Sequence, residues 1–198
     1  MAREEILAAA EVRLIADGPA GLRLQELAAE VGVSHPTILH HFGSREGLVS
    51  AVVERAITKL QDDLMAAIAG AGPRFDGVPL LERVHETLAA HGHARLMAWL
   101  LLAGYEPLDG PDVRAGWRKI IDMTHAARVV ATKDPSLARE DTAFTVVLSA
   151  LAVFGQALAG PSTFAAAGLG RTAKVQAQFR TWLSARLGEH LSGGLGKV

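Results

Sequence analysis

Cysteine is absent from this chain of 198 residues, which excludes disulfides, thiolate nucleophiles, cysteine-ligated zinc and iron–sulfur clusters. Aromatic residues make up only 5% of the sequence, so the core has to be packed from leucine, valine and alanine, which suits helices better than sheets. An excess of one charge is also absent, because 20 lysines and arginines stand against 21 acidic residues. That balance excludes a protein that coats nucleic acid with a uniformly basic surface, and the 49% hydrophobic content excludes a disordered chain.

Signs of an enzyme, a cofactor or a targeting segment are scarce. The sequence holds no P-loop, no Rossmann glycine pattern and no Gly-x-Ser-x-Gly motif, so we predict neither catalysis nor a cofactor. Four histidines, His85, His91, His93 and His125, suggest a metal, but no carboxylate lies at a ligating spacing from the His91–His93 pair, and we predict none. Acidic residues near the N-terminus stand where a signal peptide needs positive charge, so we expect a cytoplasmic protein.

One uncharged stretch has to be weighed against a membrane span. Residues 142–170 carry no charge, and Ala143–Leu158 is mostly apolar. A transmembrane helix needs about 20 predominantly apolar residues, whereas polar side chains interrupt this run and Gly160-Pro161 ends it. We therefore expect a helix buried in a core or in a subunit interface.

Apolar residues recur at helical spacing along almost the whole chain, and no long alternating pattern appears. This periodicity predicts an all-α fold. The predicted helices are Glu4–Asp17, Leu24–Val31, a short helix capped by Ser34 and running to Phe42, a helix capped by Ser44 and running to about Ala69, Pro79–Ala90, Ala94–Leu102, Asp112–Thr132, Leu137–Leu158 and Arg171–Leu191.

The segment 24–48 has the plan of a helix, a tight turn and a second helix. Gly32 supplies the positive φ with which the first helix ends. Ser34 caps the second helix by accepting from the amide of Thr37, and Pro36 lies in the first turn, where a missing donor costs little. The predicted buried face is Ile38, Leu39 and Phe42, and the predicted polar face is His35, Thr37, His40 and His41. This pattern is typical of helix-turn-helix DNA binding.

The N-terminal region resembles the TetR family of one-component transcriptional repressors. The residues that carry the resemblance are Leu27-Ala28, Val31-Gly32-Val33-Ser34, Thr37-Ile38, Phe42, Gly43-Ser44-Arg45-Glu46 and Leu48. The resemblance implies a three-helix DNA-binding domain over residues 1–48 and a helical bundle over 49–198 for ligand binding and dimerisation.

The resemblance also implies which residues contact DNA. His35 and Pro36 would meet base edges in the major groove. Thr37, His41 and Arg45 would meet phosphates, with His41 in place of the family's usual Tyr and Arg45 in place of its usual Lys. The full implied set is Gln25, Ser34, His35, Pro36, Thr37, His40, His41 and Arg45.

Several positions depart from the family pattern. Leu39 replaces a usual aromatic, Arg13 stands at a usually apolar position, and Arg23 occupies the usual Ser/Thr cap of the second helix. Residues 1–50 hold four arginines, no lysine and seven acidic residues, a net charge of −3. Because phosphate contacts normally drive DNA affinity, we expect modest non-specific binding.

In the bundle, bulky residues are rare enough to suggest a cavity. The predicted pocket residues are His85, Trp99, Tyr105, Trp117 and Phe144, although ordinary core filling remains an alternative for each. The eighth and ninth helices are predicted to form a dimer interface through Thr145, Ser149, Ala150, Val153, Phe179 and Trp182.

These patterns favour a ligand-responsive transcriptional regulator. We expect a homodimeric repressor that binds double-stranded DNA at a palindromic operator and is released by a small apolar effector. The alternative is a helical small-molecule-binding or scaffold protein that has kept the fold and lost DNA affinity, which the acidic N-terminal region favours.

Overall fold

The structure, a computed structural model, describes residues 2–70, 78–90 and 92–192. Within these ranges all regular elements are helical, which confirms the all-α prediction. The helices are α1 (Ala2–Gly21), α2 (Leu24–Glu30), α3 (His35–Phe42), α4 (Arg45–Gly70), α5 (Val78–His85) followed by a π-helical turn (Glu86–Ala90), α6 (His93–Leu102), α7 (Pro111–Thr132), α8 (Arg139–Ala166) and α9 (Ala173–Leu191). His91 lies outside the described residues.

Helices α1 to α3 form a compact head whose turns follow the sequence prediction. The chain kinks at Gly18, where φ is 68°, one residue before Pro19. Ser34 accepts from the Thr37 amide at 3.2 Å and so caps α3. Ser44 caps α4 in the same way by accepting from the Gly47 amide at 2.9 Å. Each cap satisfies an amide that would otherwise be left without a partner at a helix start.

Helix α4 runs out of the head and into the bundle as one continuous element. Its first half buries Leu48, Val49 and Val52 against the head, and its second half buries Leu60 and Gln61 in the bundle. It packs against α1 at one end and against α6 and α7 further along. The predicted domain boundary at residue 48 therefore falls inside a helix, so the two parts are joined by a rigid element and share one continuous core.

Helix α8 continues past the predicted stop at Gly160-Pro161 and ends at Ala166. The prediction that it ends at Leu158 was wrong because packing against α9 outweighs the proline. Phe164 packs on Phe179 with 5.4 Å between ring centroids, and Gly160 leaves room for the Gln156 side chain, whose Cγ is 3.0 Å from where a Cβ would lie. By length and composition alone this longer helix could cross a membrane.

A polar network ties α7, α8 and α9 together at one end of the bundle. Arg128 is buried and donates to the Asp141 carboxylate at 2.5 Å and to Thr142 Oγ1 at 3.1 Å. His190 Nε2 lies 3.0 Å from both Asp141 oxygens. Burial works to raise the pKa of Asp141, but the hydrogen bonds from Arg128 and His190 outweigh it and hold that pKa below its usual value.

Candidate DNA-binding surface and internal cavity

Helix α3 presents a polar surface to solvent. Ile38 is fully buried and Phe42 is partly buried, which fixes the inner face of the helix. Ser34, Pro36, His40 and His41 are exposed, and His35, Thr37 and Arg45 are half-buried. Gln25, at the start of α2, is also exposed. All the residues implied to contact DNA therefore have some solvent-accessible surface on the head.

Leu39 is a correction to the predicted buried face. It is 37% exposed, because it lies roughly 100° around the helix from the buried Ile38. Apolar periodicity alone does not separate two adjacent apolar residues on so short a helix. Leu39 thus adds an apolar group to the exposed surface of α3.

Arg3 is a cation on this surface that sequence reasoning missed. Its guanidinium lies over the Phe42 ring, 5.4 Å from the centroid, which brings α1 beside the C-terminal end of α3. The ring of His41 meets the rings of Phe42 and His40 edge-on, at 6.0 Å and 5.7 Å. The end of α3 therefore gathers two histidines and one arginine, a set that can contact phosphate.

The arginines of the head lie beside carboxylates, and this includes Arg3, whose Nη1 is 3.3 Å from Glu4 Oε1. Arg13 Nε lies 2.7 Å from Glu30 Oε2, and its Nη1 lies 3.1 Å from Glu26 Oε2. Arg23 lies 3.0 Å from the other oxygen of Glu26. Hydrogen bonds from Arg23 and then Arg13 lower the pKa of Glu26. These pairs explain why an arginine can occupy the usually apolar position 13, and they leave less positive charge for phosphate.

The bundle holds a cavity of about 680 Å³ that is partly open to solvent, within the roughly 300–1,000 Å³ typical of small-molecule sites. Its wall is built from helices α4 to α9 and the π-helical turn and is mostly aliphatic. The polar lining residues are Gln61, Thr124, Thr145, Ser149, Thr181 and Ser184. Among the described residues that line it, none carries a charge. Such a cavity suits an uncharged, mainly apolar occupant.

Of the predicted pocket residues, only Trp117 lies in the cavity wall. Trp99 instead lies at the junction between the head and the bundle, with its ring centroid 5.6 Å from Arg45 Cζ. Phe144 faces outward on α8, and Tyr105 is exposed in the turn after α6. His85 faces Glu82 and Arg180, and burial and the Arg180 charge lower its pKa against the opposing effect of Glu82. These four residues lie outside this cavity, because bulk in the sequence does not indicate which side a residue faces.

The predicted interface residues of α8 lie on its inner side. Thr145, Ser149 and Ala150 line the cavity, and Val153 is fully buried in the core. Phe179 is partly buried against the core, and Trp182 is 57% exposed. Ser149 and Ala150 are half-buried, and the assignment of these α8 residues to a dimer interface stays a prediction, since a helix without charges on any side gives no sequence signal of which face turns outward.

The exposed side of α8 carries an apolar strip, which we call the α8 stripe, and two of its members, Val147 and Leu151, also border the cavity. Its members recur every three to four residues, as neighbours on one helix face do, and are between 39% and 65% exposed. The stripe consists of Phe144, Val147, Leu148, Leu151 and Leu158. A contiguous apolar surface of this kind is a usual mark of an interaction site.

A buried histidine joins the head to the bundle. His93, at the start of α6, is 3% exposed, and its Nδ1 lies 2.9 Å from the carbonyl oxygen of Thr87 in the π-helical turn. Its Nε2 lies 3.3 Å from Glu11 Oε1 in α1. Glu11 is also ion-paired with Arg55 of α4. Because Leu88 of the same turn lines the cavity, a short chain of contacts runs from the cavity wall to the head.

A family model for bacterial regulatory proteins of the tetR family matches residues 6–52. This is the segment that holds the kinked α1, the capped turn and α3. Residues 6–52 are a TetR-family N-terminal domain. The resemblance seen in the sequence is thereby confirmed.

Relatives by sequence support the same assignment of the N-terminal region. The HTH-type transcriptional regulator BetI of Rhizobium meliloti is 33% identical over 99 residues, which cover 50% of this chain and 49% of BetI. The HTH-type transcriptional repressor Rv3405c of Mycobacterium tuberculosis is 36% identical over 107 residues, covering 52% and 50%. The chain thus matches about half the length of these curated relatives, which are regulators rather than enzymes.

Solved structures extend the likeness to the whole fold. A protein of unknown function from Rhodococcus sp. RHA1 superimposes with a TM-score of 0.64 at 27% identity, over 97% of this chain and 96% of its own. The multidrug-binding protein EbrR complexed with ethidium has a TM-score of 0.58 at 21% identity, over 94% and 98%. The identity to EbrR is too low to show more than a shared fold.

The carboxylates of this TetR-family head give a testable prediction about DNA affinity. Replacing Glu26 with glutamine removes one negative charge and releases Arg23 and one contact of Arg13. We expect a roughly two- to fivefold tighter binding to a generic labelled duplex at low ionic strength, since exposed ion pairs are weak and the released arginines can contact phosphates. The measurement is fluorescence anisotropy.

Glu189→Gln is the matched control for this prediction. Glu189 is exposed and paired with Arg186 at the far end of α9, so the charge change is identical but distant from the head. Equal gains in both variants would mean that only net charge matters. No gain in Glu26→Gln, with an unchanged circular dichroism spectrum, would mean that these arginines do not face DNA.

Proposed function

We propose that this chain is a cytoplasmic, homodimeric transcriptional repressor that binds a palindromic operator and is released by a small apolar effector. The proposal rests on one observation, which is that the single helix α4 joins the helix-turn-helix to the cavity. At one end of α4 lies a helix-turn-helix with a polar, exposed α3, and further along α4 lies an apolar cavity. A DNA-reading surface and a ligand site on one rigid element are what a ligand-responsive repressor requires.

We assign the head residues to two kinds of contact. His35 and Pro36, in the first turn of α3, are proposed to meet base edges, where a histidine donates to guanine acceptors and a proline packs on a thymine methyl. Thr37, His41 and Arg45 are proposed to hold phosphates, together with Arg3. Arg45 suits this role because it lies in the first turn of α4, where the helix dipole favours anions. Residues 1–48 are proposed as the DNA-binding domain and 49–198 as the domain for ligand and dimer contacts.

The regulatory sense of the proposal comes from relatives. Rv3405c is described as a transcriptional repressor, and EbrR was crystallised with ethidium. Both properties belong to those proteins. Here they support a repressor with an internal effector site, and the cavity supplies the volume for it.

The first prediction from this proposal concerns DNA. The full-length protein is expected to retard a duplex taken from the region flanking its own gene in a gel shift. It should do so at least about a thousandfold more tightly than a scrambled duplex at the same salt concentration, which is the low end of typical specific binding. His41→Ala should weaken binding to both duplexes alike, since phosphate contacts carry no base information.

Failure of the gel shift favours the second candidate function. The observation behind that candidate is that Arg13, Arg23 and Arg45 of the head all lie beside carboxylates. A folded protein that binds neither flanking nor generic DNA at low ionic strength would be a helical carrier or scaffold.

Dimerisation is proposed through the α8 stripe, with a second copy of this chain as the occupant. The stripe contains no charged residue, and Trp182 of α9 extends the exposed apolar surface. Between Leu151 and Leu158, a Cβ added at Gly155 would meet no atom within 4 Å, so a partner helix has room for close approach. A two-fold pairing buries the same stripe from both copies and presents two α3 helices to a palindrome.

Leu151→Arg tests this interface. The change places a charge at the centre of the α8 stripe, and an unpaired charge buried in the dimer costs roughly 3–5 kcal/mol. We expect sedimentation velocity to show monomers at concentrations where the wild type is a dimer. Val130→Arg is the control, because Val130 is an exposed apolar residue on α7, outside the stripe. A Leu151→Arg protein that remains a tight dimer contradicts the assignment.

Release by the effector is proposed to use the contact between head and bundle. An occupant that moves the π-helical turn moves the Thr87 carbonyl, and with it His93 and its contact to Glu11. Coupling free energies between two sites are typically about 1–3 kcal/mol, and the effect is reciprocal. A buried polar contact can carry such a coupling because it has few alternative partners.

His93→Asn tests this coupling. Asparagine can reproduce the Nδ1 contact to Thr87 but is too short to reach Glu11. With 2-naphthol as a neutral probe, we expect wild-type DNA affinity to fall roughly 5–150-fold on probe binding. In His93→Asn the fall should be several-fold smaller, with DNA affinity in the absence of probe nearly unchanged. Undiminished release would contradict a role for His93.

A further inference from the structure

We propose that Gln61 is the polar recognition residue of the cavity, and that the cavity takes a neutral, mainly apolar molecule with one hydrogen-bond donor, such as a hydroxyl or an amide N–H. This inference rests on the proposed function, because it names the chemistry of the effector. It goes further by naming the protein atom that accepts a hydrogen bond from that effector.

Gln61 is the one polar cavity residue with an amide side chain, and it is held in a defined orientation. It lies on α4 and is 4% exposed. Its Nε2 donates to the carbonyl oxygen of Val113 in α7 at 3.0 Å. That bond fixes which end of the amide is nitrogen, so Oε1 has to point the other way.

The Oε1 atom of Gln61 is buried and has no hydrogen-bond donor among the described residues. It packs against Gly116 of α7, where a Cβ would come within 2.2 Å of it. A side chain at position 116 would therefore displace the amide. The absence of a side chain there allows an acceptor to be kept in an otherwise aliphatic wall.

An unpartnered buried acceptor destabilises a protein, whereas an apolar group of the same shape is neutral or stabilising. Leucine or methionine at position 61 would fill this wall without that penalty. Gln61 lines the cavity and the terminal torsion of a glutamine is broad, so the amide plane can rotate as a whole, which takes Nε2 away from Val113 and turns Oε1 toward a ligand. A ligand donor would then supply the missing hydrogen bond.

The hydroxyl groups of the wall reinforce the preference for a donor. Thr145 donates its hydrogen to the Asp141 carbonyl at 2.9 Å, and Ser149 donates to the Thr145 carbonyl at 2.7 Å. Thr181 donates to the Ala177 carbonyl at 3.1 Å. Each of these three hydroxyls donates its only hydrogen to the backbone and offers a ligand acceptor lone pairs alone. With no charged group among the described lining residues, neither a carboxylate nor a full cation finds a counter-ion there.

The test uses two probes that differ in one hydrogen-bond donor, 2-naphthol and 2-methoxynaphthalene, titrated into the full-length protein by fluorescence. We expect the wild type to bind 2-naphthol about three- to tenfold more tightly, the range expected for one hydrogen bond. In Gln61→Met this preference should be strongly reduced, leaving only what the wall hydroxyls supply, while the affinity for 2-methoxynaphthalene stays within about twofold. The melting temperature of unliganded Gln61→Met should equal or exceed that of the wild type, because the unpartnered acceptor is gone.

Gln156→Met is the matched control. Gln156 is also 4% exposed, also has an unpartnered Oε1 and also donates from Nε2 to a backbone carbonyl, that of Gln176 at 2.9 Å. It does not line the cavity. The 2-naphthol preference should therefore survive in Gln156→Met.

Each remaining outcome decides the question. The role of Gln61 is contradicted if the preference for 2-naphthol persists in Gln61→Met or is absent in the wild type. The gel shift tests the proposed function separately, so these results leave that function standing. Failure of the wild type to bind either probe overturns both this inference and the cavity as an effector site. If Gln61→Met does not fold, Gly116→Ala takes its place. It favours the helix and displaces the amide, so an unchanged preference there also overturns the proposal.

Discussion

The continuity of α4 is the constraint on which the rest of the molecule depends. One helix of 26 residues begins beside the recognition helix and ends in the bundle. Its buried residues belong to a single core that includes Ile6 of the head and Leu183 of α9. Because protein cores are close-packed and resist small displacements, neither end of α4 can move without a response at the other. The polar contact of His93 with Glu11 adds a second, narrower connection between the same two parts.

The charges of the head and the apolar surface of the bundle are physically related. A head with a net charge of −3 over residues 1–50, and with most of its arginines beside carboxylates, gains little free energy from phosphates. A single head would then bind weakly. Two heads fixed on one dimer bind with an effective concentration set by the dimer geometry, which multiplies affinity without new contacts. Under the proposed function, dimerisation through the α8 stripe would therefore compensate for the weak DNA binding of each single head.

The sequence predicted those elements that rest on local chemistry. The Ser34 and Ser44 caps, the break in helical geometry after Asp17 and the extent of α3 follow from local side-chain and backbone chemistry. It failed where tertiary packing decides. Pro161 does not end α8 because Phe164 packs on Phe179, and the exposed side of that helix carries no charge to mark it. Trp99 and Phe144 do not line the cavity, because size does not specify direction.

The cavity shows why such a site is hard to find from sequence alone. Its recognisable chemistry lies in one glutamine whose neighbour in space is Gly116, 55 positions away. Neither residue is informative by itself, because a glutamine on a long helix is usually solvated and a glycine in a helix usually only weakens it. Together they place an acceptor in an aliphatic wall at a cost in stability that no other described contact offsets. Natural proteins tend to keep such local costs where function needs them, and for this reason the Gln61–Gly116 pair, rather than the aromatic residues, is the best guide to what the cavity binds.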